Sequence, residues 1–369
     1  MPSPESVPFP QLRYCTRCCL PETSEGIDFD ELGICKACRS SEMKMRIDWS
    51  AREKDLRRIL DEAKAWSGDN YDCLVPISGG KDSCFQLHVL CNVYGLKPLT
   101  CTFSHNWWTE TGKWNLQNCL ERFNVDHVMF TPRRDIVNKI ARKSLCAIGD
   151  SCWHCHAGVG AYPLQVAVQY RIPLIVWGES SAEFGSKSTY ADPIPFDESY
   201  YLKVSTKVEP AKMVDEDLTV RDLRPFQIPD REELAKIGIR GIHLGDYLFW
   251  DGERQVEFIK REYGWKEDKV DGTYKGYKSV ECRMAGVHDY AKWVKRGFGR
   301  ATDHASIDVR NGLMSREEGL ALAKEIDAKR PLELGYYLKI TGYTETEFLD
   351  ILEAQRQGKA QSLPSVLRP

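Results

Sequence analysis

The chain has no run approaching the roughly 18 consecutive apolar residues that a membrane helix needs. No transmembrane span is therefore expected. Residues Met1 to Pro10 are rich in Pro and Ser and have no apolar centre, which reads as a loose tail and not as a signal peptide. Charge of one sign is missing too: 51 basic residues face 54 acidic ones, for a net charge of −3. That balance does not favour a general nucleic-acid binder, although it leaves room for a local basic patch. Cysteine, by contrast, is plentiful, at fourteen residues. In a long chain without an export signal, cysteines point to metal ligands and buried thiols, and the expected compartment is the cytosol. At 369 residues the chain exceeds one compact core, so two domains plus a small appendage are expected.

Four of the cysteines form two knuckles, Cys15-x2-Cys18 and Cys35-x2-Cys38. Two residues between paired cysteines let both thiolates reach one ion from a tight turn, and two such pairs complete a tetrahedron. Gly33 suits the turn before the second knuckle, and Cys19 is a spectator. A closed shell of four thiolates implies structural Zn²⁺. A charged amphipathic helix from Trp49 to Trp66, with Leu56, Ile59 and Leu60 on one side, follows the knuckles.

The most specific stretch is Ser78-Gly79-Gly80-Lys81-Asp82-Ser83. It follows a short apolar strand, Tyr71 to Ile77, and precedes a helical repeat from Cys84 to Tyr94. Strand, glycine-rich turn and helix together aim backbone N–H groups at an anion. The glycines permit close approach and positive φ. Lys81 adds a charge, and Ser78 and Ser83 add hydroxyls. The residue after Gly80-Lys81 is Asp82 and not Ser or Thr, which excludes a Walker loop. The segment instead resembles the PP-loop of the ATP pyrophosphatase superfamily, whose members split ATP between its α and β phosphates and transfer AMP to a substrate oxygen.

Further strands are expected at Pro98 to Ser104, Asp126 to Phe130 and Ile172 to Trp177. Helices at Thr111 to Phe123, Arg134 to Ala147 and Cys155 to Tyr170 alternate with them. This alternation predicts an α/β fold, a doubly wound parallel sheet with ligands at the carboxyl ends of the strands. The superfamily resemblance implies adenosine near Phe103 to Asn106, including Ser104, and phosphates near Gly178-Glu179. It also implies that Asp82 orients the loop or the metal; as the residue opening a helix, Asp82 can equally act as a cap. Glu179 can hold Mg²⁺, which favours carboxylates and phosphate oxygens, or be a solvated loop acid. Residues 178–217 read as a long substrate loop, and helical patterns dominate from Pro229 onward. The expected division is a tail and zinc-knuckle module (1–48), an ATP-binding domain (49–215) and a helical substrate-binding region (216–369).

Two segments are unusual. Cys152-Trp153-His154-Cys155-His156 precedes a helix, outside any thioredoxin-like unit. It is similar to the Cys-x-x-Cys of tRNA-thiolating PP-loop enzymes, where the pair and a distant cysteine hold a [4Fe–4S] cluster. Cys282, the only cysteine after Cys155, is the candidate third ligand; a zinc site using His154 and His156, or a structural thiol pair, are the other readings. The second segment carries His288-Asp289-Tyr290, then Lys295-Arg296-Gly297-Phe298-Gly299-Arg300-Ala301-Thr302-Asp303-His304, then Asp308 to Gly312. Such a mixture is costly in a core and points to a polar ligand, or else to a solvated helix pair. Arg300, Arg310 and His304 are the candidates for holding a sugar carboxylate or diphosphate. His304, Asp303 and Glu179 are the candidate general bases.

Taken together, the knuckles, the SGGKDS loop, the CWHC segment and GFGRATDH resemble the N-acetyl sugar amidotransferases of lipopolysaccharide and flagellin-glycan biosynthesis. The resemblance runs from about Tyr14 to Arg356 and implies conversion of an acetamido group to an acetamidino group, with ATP, Mg²⁺ and a nucleotide-linked diacetamido uronic acid or nonulosonic acid. Lys81, Asp82 and Ser83 would carry the chemistry at the loop. No cysteine sits in a nucleophile-elbow context such as Gly-x-Cys-x-Gly, so ammonia would come from a separate glutaminase. The resemblance implies one like the glutaminase and cyclase pair of histidine biosynthesis. The rival expectation is a tRNA sulfurtransferase, which would want a more basic surface. A catalytically dead nucleotide-binding scaffold held by zinc is the third reading, and the intact Lys81, Asp82 and Ser83 argue against it.

Overall fold

The structure is a computed structural model that describes residues 11–183, 189–190 and 206–367. The N-terminal tail and much of the expected substrate loop lie outside the described residues. Five parallel strands make one sheet: β1 (Cys73–Pro76), β2 (Pro98–Phe103), β3 (Asp126–Phe130), β4 (Leu174–Trp177) and β5 (Arg240–His243), in the order β3-β2-β1-β4-β5. Register is set by pairs such as Leu74 with Leu99, Leu99 with Asp126, Leu74 with Ile175 and Ile175 with Gly241. The strand order reverses between β1 and β4, which opens a crevice at their carboxyl ends.

Helices cover both faces. α1 (Lys36–Lys44) closes the N-terminal module, and α2 (Trp49–Ser67) begins at Asp48, whose side chain accepts from the Ala51 amide. Leu56, Ile59, Leu60 and Ala63 recur at helical spacing on the buried side of α2. α3 (Lys81–Leu87) continues as a π-helical segment, His88–Val93, with Tyr94 N bonded to Val89 O. α4 (Glu110–Phe123), α5 (Arg134–Ile148) and α6 (Trp153–Tyr170) complete the first half. Cys73, Val75, Leu174 and Val176 bury one sheet face with α2 to α4, while the alternating Leu74, Leu99 and Ile175 bury the other with α6.

In the second half come α7 (Arg231–Ile237), α8 (Gly252–Tyr263), α9 (Ala285–Arg296), α10 (Arg300–Arg310), α11 (Arg316–Ile326), α12 (Leu334–Thr341) and α13 (Glu345–Ala354). The region expected to be helical from residue 216 onward thus supplies β5 to the sheet, and α8 packs on α3 and α4 beside β1. The sheet unit therefore continues past residue 215. A separate apolar cluster joins α5 to α9, α12 and α13 around Leu145, Val287, Tyr337 and Phe348. Among the described residues no helix is long and apolar enough to cross a membrane.

Gly158 in α6 meets the ring of Phe103: an added Cβ would lie 2.1 Å from Cε1. Gly158→Ala is expected to destabilise the fold by about 1–3 kcal/mol through overpacking. A shift of the denaturant midpoint measures this, and an unchanged midpoint would contradict the packing.

Candidate functional site

The Gly-rich loop leaves β1 at the reversal of strand order. Ser78 N donates to Ser83 Oγ (2.9 Å), and Gly80 N points to Ser78 Oγ (3.3 Å). Gly79 has φ +76°, and a Cβ there would lie 2.7 Å from the backbone N of Leu116. The indole of Trp265 donates to Gly79 O at 2.9 Å. Both the conformation and the space at this position therefore require glycine.

Lys81 opens α3 and is only 3% exposed, with its ammonium against Asp82. Burial would lower the ammonium, but Asp82 and Glu179 overcome that and hold it above its usual value. Burial likewise pushes the Asp82 carboxyl up, and Lys81 with Lys278 more than reverses this. Glu179, at the end of β4, lies 3.8 Å from Lys278 Nζ. Burial raises its carboxyl despite Lys278 and Lys81. Glu281 is also pushed up, chiefly by burial, and its Oε2 is buried with no hydrogen-bond partner. That oxygen would lie 3.5 Å from a Cβ on Gly80. Two ammoniums and three carboxyls thus meet at one crevice. The unsatisfied Glu281 oxygen and the Glu179 carboxyl are the donor type that Mg²⁺ takes, so the set fits a Mg²⁺-phosphate ligand.

Lys278, Glu281 and Trp265 were missed at the sequence level, because they carry no motif and lie some 200 residues beyond the loop they face. Gly178 sits at the end of β4, where a Cβ would lie 3.1 Å from Gln86. Ser104 borders a cavity of about 520 Å³ at the ends of β2 and β3, with Trp108 and Thr131. Its Oγ accepts from Trp108 Nε1 at 2.8 Å. Phe103, expected beside it, turns its ring away into the core against Phe130 and Phe226, because successive side chains of a strand face opposite ways.

The GFGRATDH segment is helical, and the helix divides its candidates. Arg300, His304 and Asp308 share a face toward residues 273–279. Arg300 pairs with Asp289 (2.8 Å), His304 Nδ1 meets Thr273 Oγ1 (2.7 Å), and Asp308 takes Lys275 (2.6 Å). His304 is held well below its usual value by burial and then by Lys278 and Arg300, so it is neutral at pH 7. Asp303 faces Lys292 on another side of α10. Arg310 reaches the N-terminal module, with Nη1 4.0 Å from Cys18 Sγ and Nη2 3.3 Å from Glu183 O. Arg300, His304 and Arg310 therefore do not converge on one group.

Cys15, Cys18, Cys35 and Cys38 do converge: all four are buried, and their sulfurs lie within 4.8 Å of one another. Cys15 to Cys38 is 3.8 Å and Cys18 to Cys35 is 3.6 Å. Thiolates around zinc at about 2.3 Å need sulfurs about 3.8 Å apart, so the site fits Zn²⁺. Backbone amides of Arg17 and Cys35 point at Cys15 Sγ (3.4 and 3.3 Å). Cys19 faces away, toward Arg316 O. Cys152, Cys155 and Cys282 border one apolar cluster, but they do not form a comparably tight group among the described residues. Burial, Cys282 and Glu281 push the Cys155 thiol up, in that order. His154, which could have replaced a thiolate, is buried against His105 O (3.2 Å).

Purified protein is expected to carry about one zinc per chain by elemental analysis. Cys18→Ser should lose the metal and several kcal/mol of stability, on the order of a structural site. Full zinc retention by this variant would contradict the site.

Comparison with known proteins adds three similarities. Residues 271–361 match the family described as LPS biosynthesis protein WbpG-like, C-terminal domain. The uncharacterized protein MJ1599 of Methanocaldococcus jannaschii is 22% identical over 323 residues, covering 87% of this chain and 95% of that protein. The solved NMN synthetase from Francisella tularensis aligns with a TM-score of 0.28 and 13% identity over 61% of this chain and 98% of that one, a likeness too slight to bear on the fold. Lys278, Glu281, Arg300 and His304 all fall within the WbpG-like segment.

Proposed function

We propose that the chain is the synthetase component of an ATP-dependent amidotransferase that turns an acetamido group of an acidic sugar into an acetamidino group. One observation carries this reading: the SGGKDS loop, with buried Lys81 paired to Asp82, meets Lys278 and Glu281 of a segment similar to a lipopolysaccharide-biosynthesis domain. The same site supports AMP-forming chemistry. The loop amides and Lys81 would hold the pyrophosphate, and the cavity beside Ser104 would take adenosine. Glu179 and Glu281 would hold Mg²⁺, which when bound supplies further neutralisation of the leaving group.

The acetamido oxygen attacks the α-phosphorus, pyrophosphate leaves, and an O-adenylated imidate forms. Ammonia then adds at the imidate carbon, and AMP departs carrying the former amide oxygen, which leaves the amidine. The chain's own work is positioning and charge neutralisation. Among the three base candidates, Glu179 adjoins the loop and its carboxyl is raised above its usual value by burial. His304 is neutral but bound to Thr273, and Asp303 is turned to Lys292. Ammonia would come from a separate glutaminase subunit.

One second reading is a PP-loop tRNA sulfurtransferase with a [4Fe–4S] cluster; Cys152, Cys155 and Cys282 border the same apolar cluster but would have to draw closer to hold it.

Protein prepared without oxygen, given ATP, Mg²⁺, an ammonium salt and a panel of diacetamido sugars, should release AMP. Mass spectrometry should show one sugar lighter by the difference between O and NH. Lys81→Met should cut this turnover by about 100-fold or more while the melting temperature shows the fold kept. No change in any sugar, with sulfur entering tRNA under matched conditions, would replace this reading with the second.

A further inference from the structure

A cavity of about 1000 Å³ lies apart from the crevice at the Gly-rich loop. It lies between the end of α5, the start of α6, helix α9 and the chain after α13. Its volume is that of a site for a whole small molecule with several groups. Lys207, Lys292, Lys295, Arg296 and Lys359 line it, against Glu22, Glu25 and Asp150. In a chain whose net charge is −3, a cavity with more ammonium and guanidinium than carboxylate is a local inversion of sign. Some of these charges are paired: Glu25 takes Lys207 (3.2 Å) and Arg296, and Lys292 takes Asp303.

Lys295 is held differently. Its ammonium donates to the carbonyl of Gly149. Burial brings it down to about 8; Asp150 opposes that fall, and Arg296 and Lys207 add to it. A half-compensated cation among like charges is stabilised by an incoming anion.

The inner wall leads toward the loop. Asp150 holds His156 at 3.1 Å, and the His156 ring lies 5.4 Å from that of His288. Cys155, also in this wall, feels Cys282 and Glu281, and Glu281 in turn adjoins Gly80. A ligand anchored by its anion at the lysine end would present its far end to this wall of Cys155, His156 and His288.

We propose that this cavity is the sugar site, with Lys295, Arg296 and Lys207 holding the anionic group of the substrate, a sugar carboxylate or a nucleotide diphosphate. The proposal rests on the amidotransferase reading and moves the anchoring groups from Arg300, His304 and Arg310 to α9 and its surroundings.

The test is equilibrium titration calorimetry of a UDP-linked diacetamido uronic acid, a free diacetamido nonulosonic acid and UDP alone. Each is measured on the wild type, Lys295→Met and Lys207→Gln, with a non-hydrolysable ATP analogue titrated in parallel. The acid that binds the wild type should bind Lys295→Met about tenfold more weakly and Lys207→Gln about threefold more weakly, with analogue affinity unchanged. Tight binding of UDP would identify the diphosphate as the anchored group, and binding of the nonulosonic acid the carboxylate. The half-exposed Lys207 gives the deciding variant if Lys295→Met does not fold. Wild-type affinity in both variants would overturn the cavity assignment and leave the amidotransferase reading standing. A wild type that binds the ATP analogue but neither acid would overturn both.

Discussion

Burial of the Lys81 ammonium is the constraint around which the rest is arranged. A lone cation shielded from water at that depth would lose its charge or unfold its surroundings. It keeps the charge because Asp82 on its own helix and Glu179 from the end of β4 face it, and because Lys278 balances those carboxyls in turn. Three chain segments separated by about a hundred residues each are tied to one point by electrostatics. The parallel sheet makes this possible, since the reversal between β1 and β4 leaves both strand ends open on the same side.

The N-terminal module braces the same region from outside. Lys44 at the end of α1 pairs with Glu183 and with the carbonyl of Trp250, and Arg310 spans from Cys18 to the Glu183 carbonyl. Glu183 also contributes to the field on Lys81. The metal module is thus wired into the loop after β4 and is not a pendant.

Much of the sheet was legible in the sequence. β2 and β3 carry clear strand patterns, and SGGKDS marks where β1 ends. β5 was not legible, because Arg240-Gly241-Ile242-His243 has neither the length nor the apolar character of a buried strand, and only its pairing with β4 makes it one. The grouping of the four cysteines could be read from spacing alone, since two x2 knuckles leave little freedom. The polar segment around Arg300 stands out in the sequence, but its partition was invisible, because it depends on helical phase: residues 300, 304 and 308 meet one surface, while 303 and 310 meet others. Lys278 and Glu281 could not be found at all from sequence, since their role comes from distant chain crossing the crevice.

The docking of the N-terminal knuckles on α11 bears on how the protein is made. Arg316 Nε donates to the carbonyls of Cys15 (3.0 Å) and Cys18 (3.2 Å), across about 300 residues. At ribosomal speeds of about 5–20 residues per second, the module emerges on the order of 15 s to a minute before the surface that covers it. During that interval its four cysteines lack the contacts of the finished body, and a bound metal would hold their shape. Any metal that the four cysteines hold would thus be captured early in the life of each chain, and attachment of the module to the finished body would be among the last events.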